Sequence, residues 1–201
     1  IAATSVAGLR SKFGVPLSRE EELAAAFTRH PWLGGVHVHV GSQGCSLDML
    51  VSGARAVYDF TRRLHEGLGE RRVTVFDLGG GLPAVYGPDD PHIDFADYAS
   101  ALRREIPGLF DGSMRLVTEF GRSLHAPCAL AASRVEYVKR DGDRQTLVIH
   151  LGADMFLREC YNPGDWRHAV ELLDARGRPR EGTPTPTDIA GPLCFSGDYP
   201  A

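Results

Sequence analysis

Helical and strand-like periods take turns along roughly the first 123 residues and then stop doing so, and this change of period constrains the fold more than any other feature. Ser18 and Glu21 form a capping-box pattern that predicts a helix over 19–29, with Leu23, Ala24 and Phe27 on its apolar face. Residues 35–40 read as a buried strand, and Ser46 is placed to cap a long helix to about Leu68 that carries Leu50, Ala54, Val57 and Leu64 at helical spacing. A strand over 72–78, an irregular Gly/Pro/Asp-rich stretch over 79–91, a helix from Asp94 to about Ile106 and a strand over 115–119 complete the alternation. Such recurrence is the signature of parallel βα construction, so an α/β fold is expected. Beyond Arg122 the segments 124–138, 145–151 and 187–193 read as β, separated by Asp-Gly and Pro-rich turns, with 177–186 as a loop. This predicts a domain over 1–123 and an all-β domain over 124–201.

Each of the three expected strands ends in chemically active residues: His39-Val40-Gly41-Ser42-Gln43, Asp77-Leu78-Gly79-Gly80-Gly81 and Glu119-Phe120-Gly121-Arg122. In a parallel β/α barrel the C-terminal strand ends share one face, so the three segments would converge on a single site. Gly79, Gly80 and Gly81 can present successive amides as a concave nest for a phosphate, although a permissive turn is the plainer account of the triplet alone. Arg122 and Ser42 favour the phosphate, since a guanidinium fork and a hydroxyl supply counter-charge and a further donor. The triplet does not match G-x-G-x-x-G, which argues against a dinucleotide fold. Strand alternation puts His37 and His39 on one face. His37 is read as a satisfied core histidine, whereas His39, just before the Gly-Ser turn, could stack on a planar ring. Glu119 ends an apolar strand and would need a cationic partner, either Arg122 or a protonated ring nitrogen.

Composition narrows the partners. With 22 basic and 26 acidic side chains the formal net charge is −4, and no Lys/Arg-rich run offers a footprint for nucleic acid or an anionic membrane. No run of 18 apolar residues and no signal-peptide pattern occurs, and Cys45, Cys128, Cys160 and Cys194 lie too far apart for a zinc site or a disulfide scaffold, so a reduced, cytoplasmic setting without a metal is expected. Lys12 and Lys139 are the chain's two lysines.

Ser11-Lys12-Phe13-Gly14, the three strand-end segments, and Gly191-Pro192-Leu193-Cys194 with Asp198 occur in the order and approximate spacing of a known group. The chain resembles the pyridoxal-phosphate-dependent decarboxylases of the ornithine/diaminopimelate/arginine group, the alanine-racemase-like barrel class. That resemblance implies the C-terminal part of a β/α (TIM-like) barrel followed by part of an all-β domain. It further implies that His39 stacks on the pyridine ring, that Ser42, Gly79, Gly80, Gly81, Gly121 and Arg122 hold the phosphate, and that Glu119 pairs with the pyridinium nitrogen. Cys194 would reach the active site of the neighbouring subunit in a homodimer and protonate the decarboxylated substrate. Pyridoxal phosphate would serve as the electron sink for an amino-acid substrate.

Three departures qualify the resemblance. Nothing here matches the family's cofactor-attaching lysine, and Lys12 and Lys139 lie in other contexts, so the chain is expected to be the central part of a longer protein. The family's Glu-Pro-Gly-Arg appears as Glu119-Phe120-Gly121-Arg122, which keeps the charged spacing. Phe195 stands where diaminopimelate enzymes carry Glu and ornithine enzymes Asp, so a distal ammonium would be poorly served. Arg158 resembles the arginine used for a distal carboxylate, with a solvated surface charge as the plainer account, and Asp198 completes the expected substrate contacts. Two other readings compete: an amino-acid racemase on the same barrel, disfavoured by Glu119 and Cys194, and a decarboxylase-like binding or regulatory homologue without the lysine.

Overall fold

The computed structural model describes residues 11–86, 90, 92–164, 166, 168–182 and 185–201. Contacts divide the chain into two compact units, one from the described residues of Ala2–Val85 and Asp90–Cys128, the other from those of Tyr86–Asp89 and Ala129–Ala201.

The first unit is α/β. Strands β1 (Gly35–His37), β2 (Val75–Asp77) and β3 (Arg115–Val117) form a parallel sheet in that order, with Val36 opposite Phe76 and Phe76 opposite Leu116. Each is shorter than the pattern suggested, yet the ladder runs on past the regular strands: the Val38 N–H donates to Asp77 O at 2.9 Å, Leu78 N–H to Val117 O at 2.9 Å, and Glu119 N–H to Gly79 O at 2.7 Å. These bonds carry the pairing into the three loaded turns. β1 differs from the buried strand expected: among the described residues it pairs with β2 alone, and Gly35 and His37 are exposed.

Helices α1 (Glu20–Arg29), α2 (Leu47–Leu68) and α3 (Phe95–Glu105) follow the apolar periodicity. Ser46 caps α2 by accepting the Met49 N–H at 3.2 Å, and Gly69 ends it in the left-handed region at φ 68°. Asp94 and Asp97 close a reciprocal capping box on α3. The capping box read at Ser18 does not form, since a 3-10 turn over Leu17–Arg19 occupies that position and α1 begins without a side-chain cap. The core gathers Leu50, Val51 and Ala54 of α2, Phe76 of β2, and Tyr98, Ala101 and Leu102 of α3, with Phe76 fully buried on the middle strand. Burial pushes the Tyr98 phenol up to about 12.

His65, near the C-terminal end of α2, ties that helix to the segment leading into β2 by accepting the Val73 N–H at Nε2, 3.0 Å away. Partial burial, with the nearby Arg71 charge second, holds its imidazolium below the ordinary 6.5. Above that pH both folded and unfolded His65 are neutral and contribute no pH dependence. Below it the unfolded state takes up the proton first, so stability falls as pH drops from about 6.5 through the folded value and then levels off. Urea midpoints of wild type and His65→Gln should therefore diverge at neutral pH and draw together toward pH 5; parallel midpoints would overturn this assignment.

The second unit holds β4 (Val135–Asp141), antiparallel to β5 (Arg144–Ile149), and β6 (Thr187–Ala190), parallel to β5. The β reading of 124–138 is corrected at its start: α4 (Gly121–His125) and a 3-10 turn over Ala126–Cys128 precede the strand. The short helix α5 (Leu157–Tyr161) was not foreseen. Described residues of 79–86 and 177–182 are irregular, as the Gly/Pro content suggested, apart from a bridge between Leu173 and Pro179. Residues 87–89, 91, 183 and 184 of those two loops lie outside the described residues. Among the described residues no helix is long and apolar enough to cross a membrane.

Candidate active site

The C-terminal ends of β1, β2 and β3 converge because the strands are parallel and in register, and the glycine turn after β2 lies between the other two. A Cβ on Gly80 would stand 2.8 Å from Glu119 O and 3.4 Å from His39 Cε1. A Cβ on Gly81, at φ 115°, would stand 2.8 Å from Gly41 O. Side chains at these positions would push the three turns apart, so the triplet is the condition for His39 and Glu119 to come together.

The picture of three bare amides aimed at an anion is corrected by the bonds observed. The Gly79 N–H donates to Asp77 Oδ1 at 2.9 Å, and the Gly80 N–H donates to His39 Nδ1 at 3.2 Å. Two of the triplet's donors therefore shape the turn, and the second fixes the His39 ring: Nδ1 is the acceptor, which leaves Nε2 to carry the proton. The His37 and His39 rings lie 6.5 Å apart and within 23° of parallel.

His37 is the residue the sequence reading missed. It is exposed rather than a satisfied core histidine, and its Nε2 lies 3.5 Å from Glu119 Oε2, so the partner seen for this carboxylate is His37. The signal was available in the i, i+2 alternation that put His37 on the His39 face. Donor atoms of His37, His39 and Glu119 all lie within 4.8 Å of one another, close enough to share a cation or to surround one edge of a small heteroaromatic ring. A carboxylate and two imidazoles beside a glycine turn suit a protonated, flat, phosphorylated cofactor, and a Cβ added at Gly121 would meet nothing within 4 Å.

Gln43 is a second omission. Its buried amide clasps Ala84, with Nε2 donating to Ala84 O at 2.6 Å and Oε1 accepting the Ala84 N–H at 2.9 Å. Ser42 is half-buried beside it, and Arg122 lies in the first turn of α4.

In the second unit Asp198 is 2 % exposed and accepts two backbone amides, Ala153 N–H at 2.5 Å on Oδ1 and Leu193 N–H at 2.7 Å on Oδ2. It was expected at the substrate; its observed contacts pin the loop that carries Cys194 to residues 152–153. Cys194 and Phe195 are exposed on that loop. The exposed Arg158 guanidinium lies 4.4 Å from the Trp166 ring centroid, a cation–π contact. Near it the buried Glu159 carboxylate meets His168 Nε2 at 2.5 Å.

A parallel α/β sheet whose strand ends bring two histidines, a carboxylate and a glycine turn together is an arrangement that a flat, charged cofactor fits. The sequence profile of the pyridoxal-dependent decarboxylase family, pyridoxal binding domain, matches residues 2–126, and the chain belongs to that family. Its pyridoxal-phosphate cofactor follows from that membership. The chain is 33% identical to diaminopimelate decarboxylase of Streptomyces coelicolor over 199 residues, covering 97% of this chain and 43% of that protein. The crystal structure of diaminopimelate decarboxylase from Helicobacter pylori complexed with L-lysine aligns at TM-score 0.76 and 25% identity, over 98% of this chain and 46% of that one. Lysine/ornithine decarboxylase of Vibrio vulnificus, complexed with cadaverine, shares the fold at TM-score 0.76 and 19% identity, over 94% and 49% of the two chains. The chain thus spans under half the length of these relatives.

Proposed function

We propose that the whole protein is a pyridoxal-phosphate-dependent amino-acid decarboxylase, resembling diaminopimelate decarboxylases, and that the observation carrying this is the approach of His37, His39 and Glu119 to within 4.8 Å beside the glycine turn. When bound, pyridoxal phosphate supplies an electron sink for the charge left on the α-carbon as carbon dioxide departs. His39 offers its ring face to the cofactor, oriented by the Gly80 amide. Ser42, Gly79, Gly80, Gly81, Gly121 and Arg122 hold the phosphate end, the glycines chiefly by leaving room and Arg122 by charge. Glu119 keeps the ring nitrogen protonated from the opposite edge, which is the state needed when negative charge develops.

In this reading the parallel sheet of the first unit is part of a closed β/α barrel, 1–123 and 124–201 are its barrel and β-domain portions, and the protein is a cytoplasmic homodimer. Cys194 delivers its Sγ proton to the α-carbon in the neighbouring subunit's active site. Phe195 and Arg158 meet the distal end of the substrate, and Asp198 acts on it by fixing the Cys194 loop.

The test is uptake of pyridoxal 5'-phosphate by the whole protein, read as visible absorption that borohydride abolishes. Arg122→Ala should raise the cofactor dissociation constant by about 10- to 100-fold, as expected for one charge-assisted contact. A whole protein that stays colourless and retains no pyridoxal phosphate overturns the reading.

A further inference from the structure

Between the turn after β1 and the turn after β2 lies a polar side chain with no access to water. Gln43 is 1 % exposed, and its two amide bonds both go to the backbone of Ala84, which is itself 4 % exposed. A planar primary amide presents a donor and an acceptor side by side, which is what one residue of an extended backbone demands of a partner. Burying such a group is tolerated only when both halves are satisfied, so the clasp is sensitive to changes in either atom.

The two segments it joins are the ones assigned to the cofactor. On one side, His39 and Ser42 precede Gln43 by four residues and one residue; on the other, Gly81 precedes Ala84 by three. The turns already meet along Gly79–Gly81, where a Cβ on Gly79 would lie 3.1 Å from His39 Cα, the Gly80 N–H donates to His39 Nδ1 at 3.2 Å and a Cβ on Gly81 would lie 2.8 Å from Gly41 O. The Gln43 clasp adds a further attachment of two hydrogen bonds, beyond those contacts on both segments, and resists pivoting about them. We propose that Gln43 is a positioning residue that sets the spacing between the ring-stacking His39 turn and the Gly79–Gly81 turn. This rests on the reading that those turns hold pyridoxal phosphate. Groups that bind two ends of one rigid cofactor must keep their separation to within a fraction of an ångström, and a loosened clasp therefore appears as faster loss of cofactor.

The proposal separates from a merely structural role through pH. In Gln43→Glu the carboxylate faces the Ala84 carbonyl and repels it, whereas the neutral acid carries an O–H that can donate to that carbonyl and restores both bonds. Burial raises the pH at which this exchange occurs above the ordinary carboxylate range. Gln43→Leu removes both bonds at every pH. The titratable groups on the two turns and the elements packed on them include His37, His39, Cys45, Asp48, Tyr58, Asp77, Tyr98 and Glu119, and all are common to wild type and variants, so the difference between profiles belongs to residue 43.

The experiment loads the whole protein with pyridoxal 5'-phosphate and follows cofactor dissociation by absorbance after dilution, from pH 5 to pH 8. Amide hydrogen exchange over residues 82–85 is measured in the cofactor-free protein. Gln43→Glu should release cofactor on the order of tenfold faster than wild type at pH 8 and approach the wild-type rate toward pH 5, while Gln43→Leu stays fast throughout. Exchange over 82–85 should quicken in both variants at pH 8. Folded variants that hold the cofactor as wild type does, or a Gln43→Glu defect that does not recover in acid, overturn the proposal alone. A wild-type protein that takes up no pyridoxal phosphate overturns the reading of the site and this proposal with it.

Discussion

Glu119→Gln in the whole protein should lower kcat by roughly 10²- to 10³-fold while leaving the fold and cofactor affinity close to wild type, because the substitution removes charge but little volume. The backbone of Glu119 is fixed by its N–H bond to Gly79 O at 2.7 Å, which does not involve the side chain. A glutamine amide can still contact a ring nitrogen, and His37 at 3.5 Å from the carboxylate oxygen can still meet the amide oxygen. Lost is the negative charge that opposes a protonated ring nitrogen, and this matters most as charge flows into the ring during bond cleavage. The expected pattern is a fall in kcat and kcat/KM together with little change in KM. Steady-state kinetics with a matched cofactor titration check it. A kcat within a few-fold of wild type would reduce Glu119 to a partner of His37 with no part in the chemistry.

What the sequence made legible were features governed by local chemistry. Ser46 and Asp94 cap their helices where a short polar side chain precedes an apolar period, and Gly79–Gly81 turns the chain where only glycine fits. The convergence of the three strand ends followed from parallel order and needed no pairwise contact. What escaped depends on partners distant in the chain. His37 reads as a core residue because a strand histidine usually packs there, but its ring turns to Glu119, 82 residues later. Gln43 is 41 residues from Ala84, and no periodicity announces an amide clasp. The β reading of 124–138 overlaps the last two residues of the helix at Gly121–His125, because five residues are too few to express a helical period. Asp198 sat in the right motif for substrate contact, yet only the backbone amides of Ala153 and Leu193 reveal that its carboxylate works on the loop.

That loop determines the second large effect. Phe195→Glu should raise kcat/KM for diaminopimelate, ornithine or lysine by at least about 10²-fold, while wild type favours amino acids whose distal end is neutral, acidic or conjugated. Gly191 N–H donates to Asp198 O at 2.8 Å, Phe195 N–H to Leu193 O at 2.8 Å, and Asp198 N–H to Phe195 O at 3.0 Å, so the backbone around position 195 is held by bonds independent of its side chain. The phenyl ring is 56 % exposed and lies over Gly197, whose added Cβ would come within 2.7 Å of the ring. Replacing an exposed ring on a backbone so fixed should change what the loop offers without unfolding it. A phenyl ring gives a distal ammonium no counter-charge, and a desolvated unpaired cation is strongly disfavoured; a carboxylate there reverses the sign of that term. If Arg158, whose guanidinium carbon lies 4.4 Å from the Trp166 ring centroid, meets a distal carboxylate as proposed, it serves diaminopimelate, which carries one, and not ornithine, which lacks it. The ranking of substrates in the Phe195→Glu variant therefore also tests Arg158, with diaminopimelate gaining more than ornithine. A wild type that already prefers either diamine, or a variant that improves on neither, shows that residue 195 does not set specificity, and it leaves the decarboxylase reading to stand on Glu119.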